Sequence, residues 1–262
     1  MTRIFSAMLL VASFASLASA HDTWVQTNTN VLRVGDVAHV DLMLGNHGNE
    51  HRDFKLASKI SLDPCTLTVV APDGSITDLK PKVVDLGSAP KEGFWSARFV
   101  PEKSGIHTVA HTLDTLHKTT RAIKSSKTFF AAIDSLDQLS SFSQPVDKPL
   151  GHPLELVLKT NPIGGIAPGQ PIDVELLYEG KPLPEARITF IPRGQDLAEG
   201  FDENFERLTD ADGRATFTPQ EGNYYMAVVH HRAPEQKGDD YDQTAYSATM
   251  VFYVPQIGWD KS

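Results

Sequence analysis

The stretch VLRVGDVAHVDLML, residues 31–44, alternates apolar and polar side chains along most of its length. A period of two is typical of a β-strand that buries one face, whereas a helix would repeat its apolar positions every three to four residues. The same alternation occurs in CTLTVVAPDG (65–74) and in PIDVELLYEG (171–180). Glycine, proline, asparagine and aspartate bound these runs at short intervals, which indicates turns between antiparallel strands. We therefore predict an all-β chain folded into antiparallel β-sandwiches.

The first twenty residues have the features of an export signal. Arg3 precedes an apolar run over residues 4–14, and the small tripeptide ASA (18–20) follows it. This order is typical of a secretory signal peptide, and the apolar run is too short to span a bilayer stably. We expect cleavage after Ala20, so that the mature protein begins at His21, is periplasmic or secreted, and does not span the membrane.

Composition divides the mature chain into two parts. Between Ser135 and Pro153 the sequence becomes rich in serine, aspartate, glutamine and proline, which favours an extended connection over a packed element. We place the boundary near Pro149, which predicts an N-terminal β-sandwich domain over residues 21–148 and a C-terminal one over residues 149–262. Both lengths are ordinary for single domains.

Charge, cysteine content and missing motifs exclude several classes of protein. The chain has 24 lysines and arginines against 33 acidic residues and no basic run, so we expect no binding to nucleic acid. Cys65 is the only cysteine, which excludes an internal disulfide and any multi-cysteine metal site, and we expect it to be a small buried residue. The sequence has no nucleophile elbow, phosphate-binding glycine loop or dinucleotide fingerprint. We therefore expect a binding protein and not an enzyme.

His21 is the first candidate ligand of a metal ion. Cleavage after Ala20 would give this residue a terminal amine beside its imidazole Nδ1, and the two nitrogens can close a six-membered chelate ring. Nitrogen donors of this kind suit nickel, copper and zinc, and do not suit calcium or magnesium. The third mature residue is Thr23 and not histidine, so a second protein histidine is required. The alternative is a frayed, solvated chain end.

The segment GNHGNEHRDF (45–54) contains His47, Glu50 and His51 at the spacing of the inverted zinc-hydrolase signature. That signature needs a helix, and the surrounding glycines and asparagines are poor helix formers. We expect a polar loop here, and its role stays open.

Two further segments supply histidines on predicted strands. His107 and His111 share a face but lie about 13 Å apart at 3.3 Å per residue, so at most one of them joins a given mononuclear site. His230 and His231 are neighbours in NYYMAVVHHRAP (223–234), so they point to opposite faces of a strand. The residues alone do not choose between these two.

These residues resemble an exported bacterial family, the domain of unknown function 4198 family, which is associated with periplasmic nickel and cobalt uptake. The resemblance is carried by HDTW (21–24), by GQPIDVELLYEGKPLPEARITF (169–190), by TDADGRATF (209–217) and by AVVHH (227–231). It implies Ig-like β-sandwich domains, no catalysis and a bound transition metal. Its terminal histidine corresponds to His21, and the histidine that follows its Ala-Val strand corresponds to His230.

Together these observations predict an extracytoplasmic transition-metal-binding protein that is accessory to nickel/cobalt, or copper, uptake or handling. We expect nickel first, with copper, cobalt or zinc as other candidates, held by the His21 amine and imidazole, His230 and His111. The expected partner beyond the metal ion is a metal-uptake membrane transporter. The alternative is a structural or adhesive Ig-like module of the cell envelope without metal. A copper oxygenase with a terminal-histidine brace is a third reading, for which Trp24 is the only aromatic support.

Overall fold

Strands form nearly all of the regular structure in the described part of the chain. The computed structural model describes residues 21–48, 51–90, 92–135, 146–198 and 200–256. The predicted signal peptide, residues 1–20, lies outside these ranges, as do Asn49 and Glu50.

The first half of the chain contains ten of the described strands and one turn of 3-10 helix at Lys80–Lys82. The strands are β1 (His21–Thr27), β2 (Val31–Arg33), β3 (Ala38–Gly48), β4 (His51–Ser58), β5 (Cys65–Val70), β6 (Ile76–Asp78), β7 (Val83–Asp85), β8 (Trp95–Phe99), β9 (Gly105–His117) and β10 (Thr120–Ile133).

The second half contains eight described strands. They are β11 (Leu154–Leu158), β12 (Ile172–Tyr178), β13 (Lys181–Pro182), β14 (Arg187–Pro192), β15 (Glu206–Leu208), β16 (Arg214–Phe217), β17 (Asn223–Ala233) and β18 (Gln243–Val254). The predicted all-β class, with mostly antiparallel sheets packed on one another, is confirmed. The alternation that predicted it is visible in β3, where Ala38, Val40 and Leu42 are buried while His39 between them is exposed.

One nine-stranded sheet contains strands from both halves, and we call it the shared sheet. Its order is β15-β14-β17-β18-β10-β9-β5-β6, with β2 beside the end of β10. The halves meet where β10 runs parallel to β18, with Ser126 opposite Thr249. The division into domains 21–148 and 149–262 stays a prediction, and the structure adds that the two halves share hydrogen-bonded strands.

Each half covers a different face of the shared sheet with a smaller sheet of its own. The sheet β1-β3-β8-β7, with β4 on β3, packs Leu42 against Leu67 and Phe130. The sheet β11-β12-β13, with β16 on β12, packs Phe217 into a core that includes Phe129. Consecutive strand residues point to opposite faces, so Phe129 and Phe130 show that the two smaller sheets lie on opposite sides of β10.

A third apolar cluster ties β1 and β3 to the second-half strands. It consists of Trp24, Met43, Ile191, Leu197, Met226, Val228 and Val251. The start of β1 is thereby packed on β17 and β18, which come late in the chain.

Strand β10 carries polar residues at positions that are covered on both faces. Its residues 124–128 read KSSKT, and every residue from Ser125 to Ile133 is buried. Buried hydroxyl and ammonium groups cost free energy unless they are hydrogen-bonded. Ser125 and Lys127 bond to β11, whereas Lys124 and Ser126 bond to β1, and Thr249 of the shared sheet also donates to Ser126.

A turn between β15 and β16 provides a test of the second-half packing. Gly213 has φ of +70°, and a Cβ atom there would lie 2.7 Å from the Leu176 carbonyl oxygen. We expect Gly213→Ala to lower the free energy of unfolding in urea by about 2 kcal/mol or more, because left-handed strain of about 1–2 kcal/mol adds to the clash. Gly74→Ala is the matched control, since Gly74 has φ of +84° and open space around it. Equal losses in the two variants would contradict the packing described.

Candidate functional site at the start of the first strand

Strand β1 lies against the shared sheet with its free edge turned toward β10 and β18. Its other edge pairs with β3 from His21 to Thr27. On the free edge, Lys124 Nζ donates to the carbonyl oxygen of His21. Thr249 Oγ1 donates to the Thr23 carbonyl at 2.8 Å, and Val25 N donates to Ser126 Oγ at 2.9 Å. Side chains of the shared sheet therefore satisfy edge groups that a further strand would otherwise satisfy.

The side chains of β1 alternate between the two halves of the molecule. Thr23 reaches His111 on β9, and Val25 packs into the first-half core. Asp22 and Trp24 point the other way, toward β17 and β18. This alternation brings the start of β1 within reach of both halves at once.

Asp22 and His230 form the contact that defines the candidate site. His230 Nε2 lies 3.0 and 3.1 Å from the two carboxylate oxygens of Asp22. The Asp22 side chain has no exposed surface, whereas the His230 side chain is 41% exposed. A carboxylate only accepts hydrogen bonds when ionised, so Nε2 carries a hydrogen toward it. The buried carboxylate thus orients an imidazole that faces solvent.

Lys124 lies beside the same carboxylate from the β10 side. Its position follows from the register, since Lys124 pairs with Ser247 on β18 and Ser247 pairs with His230 on β17. Burial lowers the pKa of the Lys124 ammonium, and the charge of Asp22 opposes that shift. Asp22 therefore contacts an imidazole directly and interacts electrostatically with the Lys124 ammonium.

His111 lies in the core beneath β1 and is hydrogen-bonded at both ring nitrogens. Nδ1 is 2.8 Å from the Thr66 carbonyl oxygen, and Nε2 is 3.1 Å from Thr23 Oγ1. A carbonyl only accepts, so Nδ1 carries the hydrogen and Nε2 accepts from the threonine hydroxyl. Burial lowers the pKa of His111 to about 4, which keeps the ring neutral at neutral pH.

The three predicted ligands are each associated with one of the first three residues of β1. His21 is itself the first of these and is exposed, His230 contacts Asp22, and His111 contacts Thr23. Within the described ranges, no three histidine, cysteine or acidic side chains are grouped so that they could hold a metal ion. His111 as a ligand stays a prediction, and Nε2 would have to give up the Thr23 contact to act in that way.

The remaining histidines lie elsewhere. His231 points away from Asp22 and packs its ring 4.4 Å from that of Tyr178, in agreement with the resemblance, which assigned His230 and not His231. His107 stacks on Phe130 at 4.9 Å within the first-half core.

The segment with the hydrolase-like spacing forms part of a hairpin. Strand β3 runs through His47 to Gly48, and β4 begins at His51, with Gly48 opposite His51. The loop is shorter than the sequence predicted because both strands continue into it. Glu50 lies outside the described residues, and the role of this segment stays open.

Two residues of the site were not predicted from the sequence. Asp22 was visible only as the acid after His21, and Lys124 only as one of several polar residues in KSSKT. The signal for Lys124 was the polar run KSSKT, which stands directly before the apolar residues FFAAI in one strand.

A second buried polar cluster lies on the opposite face of β10. Lys127 donates to Glu155 on β11, and the Glu155 carboxylate also accepts the backbone N–H groups of Leu150, Gly151 and His152. Burial raises the pKa of Glu155, but the Lys127 charge and these hydrogen bonds outweigh it and hold the pKa below its ordinary value. Burial, with a contribution from Lys127, lowers the pKa of His152 to about 4. This cluster fastens the start of the second half to the first.

Comparison with known proteins gives a family. Residues 18–233 match the family described as Domain of unknown function (DUF4198). The chain belongs to this family. The resemblance predicted from HDTW and AVVHH is thereby confirmed, while the association with nickel and cobalt stays a prediction. No curated protein matches this DUF4198 chain.

Solved structures similar to the DUF4198 chain share little sequence with it. The D0-D1 domain of Intimin is 13% identical with a TM-score of 0.26, over 89% of this chain and 98% of that one. The Yersinia pseudotuberculosis adhesin InvE is 13% identical with a TM-score of 0.24, over 88% and 58%. Salmonella alpha-2-macroglobulin reacted with methylamine is 13% identical with a TM-score of 0.26, over 90% and 15%.

Within the described residues, no helix has the length and apolar character needed to cross a membrane.

The buried His111 predicts a specific dependence of stability on pH. The folded-state pKa of His111 is about 4 and the unfolded value is about 6.5. Between these values the unfolded chain binds more protons, so the free energy of unfolding decreases as the pH is lowered. We expect wild type to lose about 2 kcal/mol more unfolding free energy than His111→Gln between pH 7 and pH 5, measured by urea unfolding.

The control is His39→Gln on the exposed side of β3, which should keep the pH dependence of wild type. Some dependence should remain in His111→Gln, because the pKa of His152 is lowered as well. Parallel curves for wild type and His111→Gln would contradict the burial of a neutral ring at this position.

Proposed function

We propose that the mature chain is an extracytoplasmic transition-metal-binding protein whose site lies at the start of β1. The observation that carries the proposal is the contact between His230 and the buried Asp22, one residue from the exposed His21. His21 and His230 are 209 positions apart in the chain, and the packing of β1 on β17 and β18 places His230 against Asp22, the residue next to His21.

The donor set suits a late transition metal. After cleavage at Ala20, His21 would offer its terminal amine and imidazole as one chelate, and His230 would add a second imidazole. Such nitrogen donors favour nickel, copper, cobalt and zinc. The ion is cargo in this proposal, and the protein performs no chemistry on it.

Asp22 would hold the ring of the ligand His230 and would not itself bind the metal ion. A carboxylate that holds one nitrogen of a metal-binding histidine fixes the orientation of the ring and raises the basicity of the ring, and losing such a partner typically costs 10–100-fold in affinity. The full burial of Asp22 favours this role, since the carboxylate cannot turn to solvent.

His111 would support the site from below. Its hydrogen bond to Thr23 holds the residue that follows Asp22, and the hydrogen bond to Thr66 holds the ring in place. The proposal therefore rests mainly on His21 and His230, and His111 stays a predicted third ligand that would first have to give up its contact with Thr23.

The cellular setting is part of the same proposal. Export followed by cleavage after Ala20 would place the protein in the periplasm and create the terminal amine. The nickel- and cobalt-uptake association of the DUF4198 resemblance suggests that the ion is then handed to a metal-uptake membrane transporter.

Calorimetry on three forms of the protein tests the proposal. Protein that begins at His21 should bind nickel or copper tightly, and a form with one extra residue before His21 should bind at least 100-fold more weakly, because the extra residue removes the amine from the chelate. The His230→Ala variant should lose tenfold or more in affinity.

The neighbouring variant His231→Ala is the matched control, since this ring faces Tyr178 on the other side of β17. It should bind as wild type does, with folding of every form checked by circular dichroism. Equal affinity of the processed and extended forms would refute the terminal chelate. No binding and no shift of melting temperature with nickel, copper or zinc would favour a structural or adhesive module.

A further inference from the structure

The free edge of β1 is held by three contacts that differ in their distance from the chain end. Val25 N donates to Ser126, Thr23 O accepts from Thr249, and His21 O accepts from Lys124. The first two come from hydroxyl groups close to the sheet. The third comes from a long side chain that reaches the first residue after the predicted cleavage point.

The position of Lys124 on β10 allows its side chain to reach the His21 carbonyl. Lys124 precedes the hydroxyl-bearing Ser126 by two residues on β10, so both side chains lie on the face covered by β1. Its stem is half-buried between β1 and the sheet, and its ammonium lies near Asp22 as well as the His21 carbonyl. Lys124 therefore holds the carbonyl of the first mature residue by a hydrogen bond, and its charge interacts favourably with the carboxylate behind His230.

We infer that Lys124 is a positioning residue that fixes the mature N-terminus in the proposed site. Chain ends fray unless they are tied down, and a terminal chelate needs its amine in one place to close a ring with other ligands. Holding the His21 carbonyl fixes the first peptide plane, from which both the amine and the imidazole of that residue project. This inference rests on the proposed function, because it assigns the residue that orders that site.

The first experiment measures metal affinity in protein that begins at His21. We expect Lys124→Met, which keeps the apolar stem and removes the ammonium, to weaken nickel binding tenfold or more. Lys124→Arg, which restores a cationic donor, should bind within threefold of wild type. The ligand-field absorption of bound nickel should change in Lys124→Met and return to the wild-type spectrum in Lys124→Arg.

Thr249→Val is the matched control for general loosening of β1. It removes the middle contact of the free edge, beneath Thr23, and leaves the Lys124 contact in place. We expect it to lower the melting temperature and to leave nickel affinity within threefold of wild type. Equal loss of affinity in Thr249→Val and Lys124→Met would overturn the specific role of Lys124, as would wild-type affinity in Lys124→Met.

A second readout needs no metal and separates this inference from the proposed function. An aminopeptidase can remove His21 only when the chain end leaves the sheet. We expect slow removal in wild type, removal at least fivefold faster in Lys124→Met, and a rate near wild type in Lys124→Arg. If wild type binds no metal but this pattern holds, the proposed function fails and Lys124 still holds the N-terminus. If wild type binds metal and the removal rates are equal, the inference on Lys124 fails alone.

Discussion

The parallel pairing of β10 with β18 joins the two halves of the chain, and the candidate site depends on it. Without the β10–β18 pair, the strands of each half would form separate sheets. The start of β1 would then pack on first-half strands alone. With the pair in place, β10 becomes an interior strand that is covered on both faces. The small sheet of the first half lies over one face, and that of the second half lies over the other.

The polar residues of β10 follow from that double burial. On one face Lys124 and Ser126 reach the backbone of β1, and on the other Ser125 and Lys127 reach β11. A buried ion pair such as Lys127 with Glu155 adds little net stability, because the loss of hydration offsets the attraction of the charges. Its effect is on geometry, because any arrangement of β11 on β10 that separates Lys127 from Glu155 would leave a buried charge unpaired.

The candidate site illustrates how a seam between two halves can supply ligands. Asp22 comes from the first mature strand and His230 from the strand before last, and neither half alone contains both. A metal held at the start of β1 would contact residues of both halves and would stabilise their pairing. In the proposed site, the exposed imidazole would meet the ion, and the buried carboxylate would fix the direction of the ring.

The sequence by itself determined the elements and most of the candidate chemistry. Period-two runs predict strands because burial of one sheet face is a local property, and His21 and His230 were identified from residue type and family resemblance. Tertiary structure agrees with the resemblance in placing His230 against β1, and it alone decided that Asp22 is buried behind the ring and that Lys124 reaches the His21 carbonyl. A polar run such as KSSKT predicts an exposed strand when read locally. Its burial depends on two covering sheets and on a partner strand more than 100 residues away, and no local pattern carries that information.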